Sequence, residues 1–226
     1  MNDRIERLAV LIPAFNAGRT LDVLLARLES VVLPKNVLVV NDGSTDETLN
    51  IAIGRGTKVI SLEKNQGKGA ALRKGFGVLK DDVDIDCIAT IDADLQHKPE
   101  DLVQFERKRR ETGADIVIGL RKRIGTEMPL HRRMSNAITS FLVSLRTGAR
   151  VLDSQCGYRL IGRNVLEGVS TQTFGFEAET ELLIKAMRQG FTVQYVPIET
   201  IYNGEVSHMS NWKTTMNFVK VLLQAY

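Results

Sequence analysis

Two carboxylates, Asp92 and Asp94, stand one residue apart in IDADLQHKPED (residues 91–101), directly after the apolar run CIATI. Like charges this close resist joint ionisation unless a cation lies between them. Mg²⁺ or Mn²⁺ answers that need, because hard cations take oxygen ligands and are commonly shared between one or two carboxylates and substrate phosphates. A metal on Asp92, Ala93 and Asp94 could draw a further oxygen from Gln96. The plainer reading is a polar loop with a helix cap. The usual phosphate motifs are missing: GxxxxGK[ST] does not occur, and no GxGxxG follows the first apolar strand. The glycines of GKGAALRKG (67–75) lack the Ser or Thr that a P-loop requires.

Other polar residues sit in comparable places. In NDGSTDET (41–48) Gly43 allows a tight turn and Thr45 or Asp46 can cap the next helix. A turn does not account for Asp42, which could accept a hydrogen bond from a nucleobase N–H. Asn16, just past the first apolar run, is similarly placed, although Asn is ordinary in turns. Basic clusters at 107–110, 121–123 and 131–133 suit either a solvated face or a bound phosphate. Glu177 and Glu179 precede an apolar helix, as first-turn acids or as a base. His97 and His131 read as surface residues, and Cys156 as a packed small residue.

The elements that must carry these groups are legible. LAVLI (8–12) stops at Pro13, VLVV (37–40) leads into NDGSTDET, and KVISL (58–62) into EKNQGKG. DCIATI (86–91) leads into DADLQHKPED, and DIVIGL (115–120) into the basic stretch. Helical patterns intervene. Thr20 can cap a helix with Leu21, Leu24, Leu25, Leu28 and Val32 on one face, and Pro99 suits a first helical turn. Continuous apolar strands alternating with helices predict an α/β fold with a mostly parallel, Rossmann-like sheet covered on both faces. Ligands of such sheets bind beyond the carboxyl ends of the strands, where PAFNAG, NDGSTDE, NQGKG and DAD all fall. A helix near 130–147, a strand in QCGYRLIG, a helix closed by Gly190, an extended FTVQYVPI and an amphipathic tail are expected after it. One domain over 1–226 is expected, its pattern looser after about residue 120.

With 226 residues, 43% hydrophobic and 25% charged, the chain is long enough for a full core. A net charge of +3 gives no nucleic-acid footprint. The charged start MNDRIERL is unlike a signal peptide, no apolar run reaches the roughly 18 residues a bilayer requires, and the two cysteines suggest reduced thiols. A cytoplasmic protein, peripheral on the membrane if its substrate is there, is the expectation. Trp212, Met216, Phe218, Val219, Leu222 and Leu223 could dock on a membrane, on the domain itself or on a second subunit, the last giving a homo-oligomer.

IPAFN (12–16), NDGSTDET (41–48), NQGKGAALRKGF (65–76) and IDADLQHKPED (91–101), in that order and spacing, resemble the blocks of family 2 glycosyltransferases. The resemblance is closest to the branch of dolichyl-phosphate mannose synthase and dolichyl-phosphate glucosyltransferase. DSQCGYRL (153–160), FGFEAETELLIKA (174–186) and SHM (207–209) extend it over nearly the whole chain.

The resemblance implies the GT-A fold, with a nucleotide-sugar-binding half over about 1–120 and an acceptor-side half over about 121–226, a nucleotide-sugar donor such as UDP-glucose or GDP-mannose, and a polyprenyl-phosphate acceptor. By position, Pro13, Ala14, Asn16, Asp42 and Lys68 would line the nucleotide. Asp92 and Ala93 would lie near ribose and diphosphate, and Asp94 and Gln96 would hold the metal. Arg121, with Arg132 or Arg133, would grip phosphate. Ser207 and His208 fall where mannose synthases have Ser-Lys, a departure at 208. Two alternatives stay open: a hydroxyl acceptor on a glycan or small molecule, needing Glu177 or Glu179 as base, and a catalytically silent nucleotide-binding or assembly module, which would not need an intact metal motif.

Overall fold

Among the described residues, seven strands form one sheet in the order β3-β2-β1-β4-β6-β5-β7. The computed structural model describes residues 4–122, 130–201 and 212–223. The strands are β1 (Leu8–Ala14), β2 (Val37–Asn41), β3 (Lys58–Ser61), β4 (Cys87–Thr90), β5 (Ile116–Arg121), β6 (Arg159–Gly162) and β7 (Val193–Ile198). The helices are α1 (Leu21–Leu28), α2 (Thr48–Gly54), α3 (Lys68–Leu79), α4 (Leu102–Thr112), α5 (Leu130–Thr147), α6 (Arg163–Gly168), α7 (Ala178–Arg188) and α8 (Trp212–Leu223). All strand pairs are parallel except those of β6, which runs against both β4 and β5.

Burial explains the continuous apolar runs. Leu8 to Ile12 and Val37 to Val40 are all buried, covered on both faces. β3 is half-exposed, as an edge strand should be. The chain winds outward from β1 to β2 and β3, then returns to lay β4 on the other side of β1. The order reverses between β1 and β4, and such a switch point opens a crevice at the carboxyl ends of the strands.

Two local expectations are corrected. β1 does not stop at Pro13 but continues through it to Ala14, pairing Pro13 with Val40. The β1–β4 ladder has already ended at Leu11 and Thr90, so the missing N–H costs no bond on that side. Thr20 precedes α1 without a side-chain cap; its hydroxyl donates back to the Ala17 carbonyl instead. Asp46 does serve the start of α2, accepting from the Thr48 backbone N–H (3.0 Å).

Candidate active site

The crevice beyond β1, β2 and β4 is built by three loops that hold one another through side-chain to backbone bonds. Asn16 lies at φ +50° and its side-chain oxygen accepts from the Thr45 N–H (2.9 Å). Its own N–H donates to Ser44 Oγ (2.9 Å). Asp42, only 3% exposed, accepts from the N–H groups of Gln66 and Gly67, each at 2.8 Å. The carboxylate singled out for a nucleobase therefore also organises the NQGKG loop. Gly43 sits at φ +70°, where a Cβ would come within 2.4 Å of the Lys64 backbone, so this turn requires glycine.

The NQGKG loop delivers Lys68 to the first turn of α3. Its ammonium lies 2.6 Å from Asp92 Oδ1 and 3.0 Å from Glu179 Oε2. The like-charge problem posed by the sequence is thus solved for Asp92 by a lysine. Burial by itself would push the Lys68 pKa down, but Asp92 and Glu179 outweigh it and hold the ammonium above its ordinary range. Burial likewise pushes Asp92 up, and Lys68 more than offsets this, leaving the carboxyl below its usual value. The other oxygen of Glu179, Oε1, is buried without a hydrogen-bond partner among the described residues.

Gly157 makes this cluster possible. A Cβ there would stand 2.8 Å from Lys68 Nζ, 2.9 Å from Glu179 Oε1 and 3.0 Å from Asp92 Oδ2. The Gly157→Ala substitution should push the three groups apart by a fraction of an ångström and lower turnover about tenfold, less than the roughly hundredfold that a 1 Å misplacement can cost. Steady-state kinetics on a variant with unchanged circular dichroism checks this; wild-type turnover would show that the cluster has slack.

Asp94 and Gln96 occupy the next turn. Asp94 Oδ1 accepts from the Gln96 N–H (3.0 Å). Leu95 between them is held at φ +59°, unusual for a side chain of its size. Such strain concentrates where a loop has to present particular groups. Among the described residues no three His, Cys, Asp or Glu side chains converge to enclose an ion. The available donors are carboxylate and amide oxygens, and Lys68 already engages Asp92. That set fits Mg²⁺ or Mn²⁺ shared with ligand phosphates, not a cage made by protein alone.

Arg121 is the last residue of β5, not a residue beyond it, and pairs bidentately with Asp153 (2.8 and 2.9 Å). Asp153 is completely buried. The pair aims the guanidinium so that it contributes to depressing Asp92. Arg133 is half-buried on α5, while the Arg132 side chain, Ser207 and His208 lie outside the described residues. Pro13 and Ala14 end β1, and Ala93 is buried beside Asp92. Glu177, 7% exposed, precedes α7 and accepts from the Gly175 N–H (3.3 Å). In the 107–110 cluster, Arg109 and Arg110 both grip Glu106.

His97 is not on the surface. It is 6% exposed, stacks on Tyr158 at 5.4 Å between ring centroids, and has no partner for Nδ1 among the described residues. Burial pushes its pKa down to about 4, with Asp92 opposing and Arg121 and Lys68 assisting. An unfolded imidazole takes up its proton near pH 6.5, so between about pH 6.5 and 4 the unfolded chain binds more protons. Stability is therefore full above that window and falls as the pH drops through it, by about 3 kcal/mol in total. Urea unfolding of wild type and His97→Phe at pH 7 and pH 4.5 should show the wild type losing more; parallel losses would place the acid sensitivity elsewhere.

Sequence reading missed Arg159 and Glu181. Arg159, 1% exposed, donates to the carbonyls of Cys156 (2.8 Å), Glu179 (2.6 Å) and Ser154 (2.9 Å). Glu181, fully buried, accepts from the N–H groups of Gln172 and Thr173 and from Lys185. It fixes the loop whose Phe174 carbonyl accepts from the Gly69 N–H (2.7 Å) at the start of α3. The only available signal was a charged residue inside an apolar run, as in YRLIG and TELLI.

Comparison with known proteins agrees with this geometry. Residues 9–170 match the family described as glycosyl transferase family 2. The chain is 29% identical to a UDP-N-acetylglucosamine–dolichyl-phosphate N-acetylglucosaminyltransferase of Methanococcus voltae, over 85% of each chain. It is 30% identical to a dolichol-phosphate mannosyltransferase of Pyrococcus furiosus, over 79% of this chain and 53% of that one. Among solved structures, glucosyl-3-phosphoglycerate synthase from Mycobacterium tuberculosis, with Mn²⁺, UDP-glucose and phosphoglyceric acid, superposes with a TM-score of 0.75 at 21% identity, over 96% of this chain and 79% of that one.

Proposed function

Because the chain belongs to glycosyl transferase family 2 and is a glycosyltransferase of the GT-A fold, we propose that it transfers a hexose, with inversion, from a UDP- or GDP-sugar to a polyprenyl phosphate. The observation that carries this reading is the carboxyl edge of β4, where Lys68 bridges Asp92 and Glu179, with Asp94 and Gln96 on the following turn. The relatives named for dolichyl-phosphate acceptors support the acceptor class.

In the reaction the bond from sugar C1 to the donor diphosphate breaks, and a bond from C1 to an acceptor phosphate oxygen forms on the opposite face. The nucleoside diphosphate leaves. A phosphate monoester has a second pKa near 6, so the attacking oxygen is already charged at neutral pH and no general base is required. This suits a site where Lys68 ties down the Glu179 carboxylate. A divalent Mg²⁺ or Mn²⁺ on Asp94 and Gln96, beside Asp92, would neutralise charge on the leaving diphosphate. Lys68 supplies a second positive charge there and keeps Asp92 ionised. Asp42, Asn16, Pro13 and Ala14 shape the nucleotide side. Arg121, aimed by Asp153, and Arg132 or Arg133 position the acceptor phosphate, for which a guanidinium is suited by its bidentate geometry.

The test is a thermal-shift panel with UDP, GDP, CDP and ADP, each with Mn²⁺, Mg²⁺ or EDTA. A ligand at about a hundred times its Kd stabilises by about 2.7 kcal/mol, or about 5–10 °C for a chain of this size. Selective stabilisation by UDP or GDP, abolished by EDTA, is expected. No shift with any nucleotide would contradict the donor site and favour a silent assembly module.

A further inference from the structure

The turn that carries Asp94 and Gln96 is held by a second segment, just past β7. The Ile201 N–H donates to the Gln96 carbonyl (2.9 Å), and Glu199 Oε2 lies 2.6 Å from Lys98 Nζ. These contacts pair 96 with 201 and 98 with 199. The two segments therefore run in opposite directions, and His97 falls opposite Thr200. Independently, the Tyr158 hydroxyl reaches the carbonyls of Lys98 (3.0 Å) and Pro99 (3.1 Å).

The Lys98–Glu199 ion pair is largely in solvent and contributes little; its value is that it marks the register. Lys98 is extended, at φ −81° and ψ 116°, and neighbouring side chains of an extended chain turn to opposite faces. With Lys98 and Glu199 outward, His97 and Thr200 turn inward together. Both are unpartnered there: His97 Nδ1 and Thr200 Oγ1 are buried, and neither has a hydrogen bond among the described residues. Nearly all buried polar atoms are bonded, so two facing exceptions call for a reason. They are chemically matched, since a neutral imidazole nitrogen accepts and a hydroxyl donates. The segment stops one bond short of its full register.

The turn itself supplies a cause for that bond to form. Leu95 at φ +59° holds it in a sparsely populated conformation, which a ligand can reset. A cation on Asp94 and Gln96 would draw on a residue that is joined to Ile201 by its carbonyl and to His97 by the chain. We propose that Thr200 is a positioning residue: residues 199–201 form a strap that tightens on the turn when metal and donor bind, Thr200 Oγ1 then donating to His97 Nδ1. This rests on the donor-site reading above and adds how the segment after β7 responds to that site. A bond made only in the bound state strengthens binding and leaves the stability of the free chain alone. An ordinary structural contact does the reverse.

Thr200→Val removes the hydroxyl at nearly constant volume, and Thr200→Ser keeps it. The readouts are the melting temperature without ligand and the Kd for UDP and for GDP with Mn²⁺, by titration calorimetry, with EDTA as the control. Thr200→Val should melt within about 2 °C of wild type, because it discards a group that has no partner in the free chain. It should bind the Mn²⁺–nucleotide about three- to tenfold more weakly. Thr200→Ser should bind as wild type does. In a His97→Phe background, Thr200→Val should have no further effect on Kd, since the acceptor is already gone. Four results would overturn the strap and leave the donor site standing: an unchanged Kd in Thr200→Val, weakening that Thr200→Ser shares in full, a Thr200→Val melting temperature lower by several degrees, or an undiminished loss in the His97→Phe background. No binding of either nucleotide by wild type would overturn the donor site and the strap with it.

Discussion

Asp94→Asn is expected to abolish sugar transfer while leaving the fold untouched. Asparagine keeps the side-chain oxygen that accepts from the Gln96 N–H, so the strained turn around Leu95 retains its internal bond. What is lost is the charge that would face a divalent cation and a donor diphosphate. Charge neutralisation on a leaving group is worth several kcal/mol, and about 3–4 kcal/mol corresponds to a fall of about 10²–10³ in turnover. Steady-state kinetics at saturating Mn²⁺, beside a melting curve within about 2 °C of wild type, is the check. A variant retaining more than about a tenth of wild-type turnover would remove Asp94 from the metal role, since tenfold is only about 1.4 kcal/mol.

Arg159→Leu is expected to have the largest effect on stability. The guanidinium is buried and donates to the carbonyls of Ser154, Cys156 and Glu179. Leucine leaves all three acceptors stranded in a space where water has little access. Breaking a buried polar network from one side costs about 3–5 kcal/mol. For a chain of this length that is a drop of about 10 °C in Tm, at 2–4 °C per kcal/mol. The Glu179 carbonyl lies at the first turn of α7, so its release should also loosen the Lys68–Glu179 pair and weaken donor binding. Calorimetry of the variant provides the check. A loss below about 1 kcal/mol would mean that the carbonyls find other donors and that Arg159 does not brace the site.

Much of the framework could be read directly from the residues. β1, β2, β4 and β5 are continuous apolar runs because both faces of a parallel sheet are covered, and the 130–147 helix appears as Leu130–Thr147. The polar blocks were placed correctly at strand ends, because a carboxyl edge is where buried strands open to solvent. What was hidden lies in long-range pairing. Lys68 meets Glu179 across 111 positions of sequence, and no local pattern announces such a contact. Asp42 looked free because the backbone donors that fill it come from another loop. Arg159 and His97 are polar types that usually face water, and burial overrode that preference. The buried residues of α5 include the polar Asn136 and Ser140 beside Val143, while Met134, Ile138, Phe141 and Leu145 face outward. The antiparallel setting of β6 was equally hidden, since a four-residue apolar strand carries no mark of direction.

The most direct test is transfer of labelled sugar, from whichever nucleotide donor stabilises the fold, to polyprenyl phosphate, with the matching polyprenol and a glycan as competing acceptors. The expected product is a glycolipid that forms only when the acceptor carries its phosphate, with the anomeric configuration inverted, and with Glu177→Gln retaining most of the rate. Transfer to the polyprenol or glycan hydroxyl, together with a collapse of the rate in Glu177→Gln, would contradict it and make a general base the centre of the chemistry.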